Sequence, residues 1–113
     1  MIEPAALLAA YTDALNRYDL DAVEHMFAED AVYASPGLAH EMRGRKAIMS
    51  AFRNYFAEHT DQINEDLDIQ VLDSKTVECR WTLRSLKSQR SGVQRVVFNA
   101  TDQIARIDVS DDP

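Results

Sequence analysis

In the stretch ALNRYDLDAVEHMFAEDAVY, residues 14–33, a helical period breaks off, restarts and then gives way to a strand. Leu15 and Tyr18 continue an apolar stripe begun by Leu7, Leu8 and Tyr11, and Pro4 suits a first helical turn, so the spacing predicts a helix from Pro4 to about Arg17. Asp19 then has the short acceptor side chain of an N-cap, and Val23, Met26 and Phe27 share one face of a second, shorter helix. Glu29 and Asp30 read as an acidic turn into a short strand. On that strand Tyr33 and Ser35 point the same way before Pro36 and Gly37 stop it.

Downstream, Gly44 precedes a third helix whose Ile48, Met49, Phe52, Tyr55 and Phe56 make the widest apolar stripe of the chain. After about residue 63 the period changes from 3.6 to two. Leu67, Ile69 and Val71 alternate with Asp66, Asp68 and Gln70, which predicts an apolar face toward the core and a solvated face carrying the aspartates. Asp73-Ser74 is a turn, and Val77, Cys79, Trp81 and Leu83 alternate with Glu78, Arg80, Thr82 and Arg84 in a second strand. A third runs from Val93 to Asn99, and NATDQ turns it into a fourth from Ile104 to about Val109. Three helices followed by consecutive strands predict an α+β fold, a curved, mainly antiparallel sheet wrapped around the Ile48–Phe56 helix. A bent sheet around one helix leaves an open end, a natural pocket for an apolar ligand.

Composition narrows the partners. A chain of 113 residues fits one domain. A formal charge of −7 opposes nucleic acid and anionic membrane surfaces, and the segment RSLKSQRSGVQR, residues 84–95, is too diluted by Ser, Gln and Gly to form a basic patch. The one cysteine, Cys79, leaves no internal disulfide and points to the reducing cytoplasm as the compartment; it reads as a small buried hydrophobe. No signal peptide and no apolar run of membrane-spanning length is evident. The three histidines, His25, His40 and His59, are far apart and the three glycines are scattered, so neither a metal site nor a phosphate loop is expected, and no cofactor.

Read with AYTDALNRYDLDAVEHMFAEDAVYASPG, the blocks RGRKAIMSAF and FNATDQIARIDV give the chain a resemblance to the nuclear transport factor two-like superfamily, in particular its SnoaL-like and ketosteroid isomerase-like branch. The resemblance spans nearly the whole chain in order. It implies a cone-shaped α+β roll, commonly homodimeric, with a deep apolar pocket used for isomerisation, dehydration, cyclisation or epoxide opening. It also implies roles by position. Tyr11 falls where the isomerase pattern keeps a tyrosine on the substrate oxyanion, Ser35-Pro36 falls where it keeps an aspartate base before proline, and Gln94 falls where it keeps a protonated aspartate. A serine hydroxyl does not take up a proton at neutral pH without a partner base, so Ser35 argues against steroid isomerisation itself. An amide N–H can still donate to a developing oxyanion, so Tyr11 and Gln94 could hold an oxygen.

The proton would then have to be moved by another group. His40, in the GLAHEMRG rim segment, is one candidate. Asp111 is the other, since a final strand continuing past Val109 carries it to the cavity mouth, and the SnoaL-like branch has a recurring aspartate there. Tyr33, Ser35, Met42, Phe52, Tyr55, Phe56, Trp81 and Phe98 are expected as pocket wall. The reading is a small-molecule protein working by acid–base isomerase, cyclase or dehydratase chemistry on an apolar, oxygenated substrate. The alternative is a non-catalytic ligand binder or dimeric interaction module of the same fold. The solvent face of the sheet, through Glu78, Arg80, Thr82, Arg84, Arg95 and Val97, is the expected homodimer surface.

Overall fold

Pro4 at the first turn and Leu8, Tyr11, Ala14 and Leu15 along one buried face make the first helix, α1, over Pro4–Asn16 in the computed structural model, which describes residues 2–35 and 41–112. Helix α2, Leu20–Met26, is capped as expected: the Asp19 carboxylate accepts the Ala22 N–H at 3.2 Å. Between them Tyr18 does not extend the α1 stripe. It adopts a left-handed φ of 56°, which costs a non-glycine residue about 1–2 kcal/mol. Its hydroxyl offsets that cost by donating to the His59 carbonyl at 2.9 Å and accepting the Gln62 N–H at 2.9 Å, and its ring stacks on Phe56 at 5.1 Å. One side chain therefore ties the end of α1 to the far end of the third helix.

Strand β1, Phe27–Ala34, starts directly from α2. The expected acidic turn does not form, and Phe27 belongs to the strand. Phe27 and Ala28 both point inward and Glu29 and Asp30 both outward, because the register against the neighbouring strand shifts between Phe27 and Val32. A bulge, not a turn, accommodates the acidic pair. After the two-residue strand β2, Met42–Arg43, Gly44 takes a φ of 93°, open to glycine, and donates its N–H to the Ala31 carbonyl at 2.7 Å. Helix α3, Arg45–Glu58, begins there.

Four long strands complete the sheet: β3, Ile63–Asp73; β4, Thr76–Arg84; β5, Gln89–Phe98; and β6, Ile104–Asp111. The order is β2-β1-β6-β5-β4-β3, antiparallel throughout except for the parallel β1–β6 pair, and the sheet does not close. The α+β architecture is the expected one. Leu8, Val23, Phe27, Ile48, Met49 and Ile107 meet under the helices as a fully enclosed core.

On β3 the two faces are exchanged relative to expectation. Leu67, Ile69 and Val71 are 42–50% exposed, whereas Asn64 and Asp66 turn inward. Period two decides which residues share a face but not which face is covered, and a bulge between Leu67 and Gln70, with Asp68 at a φ of 52°, interrupts the alternation itself.

Candidate active site

The open end of the sheet holds a cavity of about 280 Å³ between α1, α3 and the concave sheet face. The strand registers layer its polar residues from the inside outward. Cys79 pairs with Gln94 at the inner level, Trp81 lies between Asp66 and Gly92 at the next, and Leu83 lies between Asn64 and Arg90 nearest the mouth. Helix α1 contributes Tyr11, Thr12 and Leu15, and α3 contributes the aromatic wall of Phe52, Tyr55 and Phe56. Phe52 is packed edge-on by both Phe27 at 5.9 Å and Tyr33 at 5.7 Å, which fixes that wall.

Asp66 is the centre of the polar cluster. Its Oδ2 accepts the Thr12 hydroxyl, and its Oδ1 accepts the Gln94 Nε2 at 3.2 Å and the Cys79 thiol at 3.7 Å. Burial raises its pKa above the ordinary 3.8, while the Thr12, Cys79 and Gln94 hydrogen bonds pull the other way. Desolvation favours the acid and the three donors favour the carboxylate, and desolvation is the larger effect. Beside it, Tyr11 is 4% exposed, its ring edge-on to Phe27 at 5.8 Å, and its hydroxyl has no partner among the described residues. Burial first, then the nearby Tyr33 and Asp66, hold the Tyr11 pKa well above that of a free phenol. It is a donor at every physiological pH. Burial likewise pushes Tyr33 up to about 12 and the Cys79 thiol up to about 12, so Cys79 is a neutral donor and not a nucleophile.

The residues singled out in the sequence are distributed as follows. Tyr11, Gln94, Tyr33, Ser35 and Trp81 line the cavity with the α3 aromatics. Gln94 differs in what it offers: its Nε2 is turned onto Asp66 and, at 3.5 Å, onto the Cys79 sulfur, so its N–H groups hold Asp66 in place and are not free for a ligand. Phe98 is not in the cavity wall. It shares a strand face with Gln94 and Val96, but that face passes beneath the helices, where Phe98 is 4% exposed in the closed core. Met42, on β2 at the sheet edge, packs against the same core and also stands outside the wall. Asp111 ends β6 at the rim and engages the cavity-lining Arg90 at 2.6 Å. His40 lies outside the described residues.

Sequence reasoning did not single out Asp66, Thr12, Gln62 or Arg90. For Asp66 the alternation with Leu67 and Ile69 pointed to the wrong face; its inward neighbour Asn64 was the only local sign. Among the described residues no three of His, Cys, Asp and Glu come together as a metal site, and no helix is long and apolar enough to cross a membrane.

Residues 8–112 match the family model of the SnoaL-like domain. No curated protein matches. Several solved structures share the fold. The epoxide hydrolase/cyclase-like enzyme SalBIII, which acts in pyran ring formation in the polyether salinomycin, superposes with a TM-score of 0.81 at 22% identity over 96% of this chain and 90% of its own. A candidate polyketide cyclase from Sinorhizobium meliloti gives 0.77 at 23% identity over 92% and 93% of the two chains. A SnoaL-like protein of unknown function from Burkholderia thailandensis gives 0.81 at 18% identity over 97% and 95%.

Proposed function

We propose, starting from the fact that the chain belongs to the SnoaL-like domain family, that it is a single-domain, cofactor-independent acid–base enzyme of the isomerase or cyclase type acting on a small apolar, oxygenated molecule. The observation that carries this reading is Asp66, a carboxyl of raised proton affinity held by three donors in an otherwise largely apolar cavity, beside a Tyr11 hydroxyl that has no partner among the described residues and whose pKa burial holds well above that of a free phenol. Asp66 as carboxylate takes a proton from the substrate, from carbon next to a carbonyl or from an attacking hydroxyl. Tyr11 donates to the oxygen on which negative charge builds, and Asp66 returns the proton at the atom where the product needs it. Thr12 and Gln94 fix the carboxyl and Cys79 donates to it. His40 and Asp111 remain proposals of the sequence for the same step; Asp66 lies within the cavity and Asp111 at its rim.

The test is proton exchange. Cyclic ketones and hydroxy-epoxides are incubated with the protein in D2O and followed by NMR for deuterium incorporation or ring opening. The wild type is expected to turn over at least one class, and Asp66→Asn to lower that rate about 10²- to 10⁴-fold, the usual contribution of a positioned acid–base group. Turnover unchanged in Asp66→Asn would overturn the assignment.

A second reading, a non-catalytic ligand binder, is favoured by Ser35, which lines the cavity where the isomerase pattern carries a base. Binding without exchange or ring opening in the same experiment selects it. The proposal also takes the protein as cytoplasmic and homodimeric through the outer sheet face, where the exposed Leu67, Ile69 and Val71 border β4. On that face Arg95 pairs with Glu78 at 2.9 Å and Arg80 with Asp112 at 2.5 Å, so covering these charges would leave them matched within the chain.

A further inference from the structure

Besides the Tyr11 hydroxyl, two fully buried polar atoms of cavity-wall residues lack a partner among the described residues. Gln62 is 7% exposed, and its side-chain carbonyl Oε1 is buried without a donor; the Trp81 indole Nε1 is buried without an acceptor. Both residues line the cavity that contains Asp66. A buried polar group left unpaired costs about 1–3 kcal/mol, so native proteins rarely keep one without a reason. The fold itself does not supply the reason. At Gln62 the fold uses the backbone N–H, which donates to Tyr18. At Trp81 it uses the ring, which lies against Gly92. Nothing among the described residues pairs the side-chain carbonyl or the indole N–H, and each belongs to a side chain of the cavity wall.

Their placement gives the occupant its shape. Gln62 precedes Asp66 by four residues in the run into β3, a backbone separation of up to about 13 Å at 3.3 Å per residue. Trp81 pairs directly across from Asp66, at the Asp66 end of that span. Aromatic residues of α3 form the wall between these poles. We propose that the site takes a flat, elongated apolar molecule oxygenated at both ends, with the reacting oxygen at the Tyr11 and Asp66 pole and a hydroxyl at the other end donating to Gln62 Oε1, while the Trp81 N–H donates to one of its oxygens. The proposal rests on reading the Asp66 pole as the reacting end. The far group is a hydroxyl and not a carboxylate. A carboxylate has no proton to give Gln62, and Arg90, the cation among the described cavity-lining residues, is engaged by Asp111 at 2.6 Å.

Three probes of one shape separate these statements by calorimetry: 4-phenylphenol, 4,4′-dihydroxybiphenyl and 4′-hydroxybiphenyl-4-carboxylate. The second hydroxyl adds one hydrogen bond in a dry site, so the diol is expected to bind wild type up to roughly tenfold more tightly than 4-phenylphenol, and the carboxylate more weakly than the diol. Gln62→Leu is expected to erase the preference for the diol, to leave 4-phenylphenol affinity unchanged, and to melt no lower than wild type, since it removes an unpaired buried atom. A diol no tighter than 4-phenylphenol, a preference that survives Gln62→Leu, or failure of both phenols to bind overturns the proposal; a carboxylate that binds tightest overturns the hydroxyl assignment. Tyr11→Phe reads the other pole separately. If it leaves 4-phenylphenol affinity unmoved, the reading of Tyr11 and Asp66 fails, whatever Gln62→Leu shows.

Discussion

Replacing Gly92 by alanine tests the geometry of the cavity wall more directly than any polar substitution. A Cβ on Gly92 would stand 1.8 Å from the Ser110 carbonyl oxygen, 2.8 Å from its carbonyl carbon and 2.8 Å from Cζ2 of Trp81. Contact between real atoms begins near 3.4 Å, so the β6 backbone at Ser110 must retreat by well over an ångström. Backbone cannot rotate away as a side-chain tip can, and the retreat pulls on the β5–β6 ladder where Gly92 faces Asp111 and Gln94 faces Val109. Overpacking of this kind costs about 1–3 kcal/mol, and stretched ladder hydrogen bonds place Gly92→Ala toward the upper end. For a chain of 113 residues a loss near 3 kcal/mol corresponds to a fall in melting temperature of roughly 10 °C. Thermal and urea denaturation followed by circular dichroism measure it, and Trp81, the single tryptophan, reports ring displacement through its fluorescence. Adding Trp81→Phe should recover only a minor part of the loss, because the Ser110 contact remains. A Gly92→Ala protein within about 0.5 kcal/mol of wild type, the range of an unremarkable surface change, would refute the close approach of β5, β6 and the indole.

Two further outcomes follow from the same structure. The Asp66 carboxyl holds its proton more tightly in the folded chain than in the unfolded one, so its contribution to stability is largest at low pH and declines as pH rises from the ordinary value of 3.8 toward the raised one. Asp66→Asn should remove that decline: the stability of the variant relative to wild type should rise with pH across that window in paired denaturation curves, and a flat or falling difference contradicts the burial assigned to Asp66. Paired substitution of the exposed Leu67 and Ile69 by glutamate should convert a dimer into a monomer in light scattering without lowering the melting temperature of the separated subunit. A wild type already monomeric at micromolar concentration removes the outer face from consideration as the dimer surface.

The parts of the fold legible in the sequence are those in which one signal acts alone. The α3 stripe is a long unbroken helical period, Asp19 is a side chain with one local partner, and β4 alternates without a bulge, so each could be read from neighbours a few residues away. At Glu29-Asp30 and around Asp68 one strand carries extra residues relative to its partner, and the pairing that makes such a bulge favourable comes from strands far along the chain. The left-handed Tyr18 is of the same kind: its two hydrogen bonds reach residues 41 and 44 positions away. Local patterns carry no record of such partners.

The displaced carboxyl has a related cause. A resemblance assigns chemistry by position, and at the end of β1 it met Ser35 and found the base missing. In the folded chain Ser35, just past the end of β1, and Asp66 on β3 line the same cavity from near opposite ends of the sheet order. A substrate held in that cavity responds to where a proton acceptor points and how dry its surroundings are, and not to which strand supplies it. What Asp66 requires to serve is a donor on α1, a thiol on β4 and an amide on β5, all aimed at one carboxyl, and Thr12, Cys79 and Gln94 provide them. Gln94, read from its position as a donor to substrate, donates instead to the Asp66 carboxyl. If Asp66 is the base, as proposed, the acid–base group of this chain stands on β3 and not at the end of β1, held by donors from α1, β4 and β5.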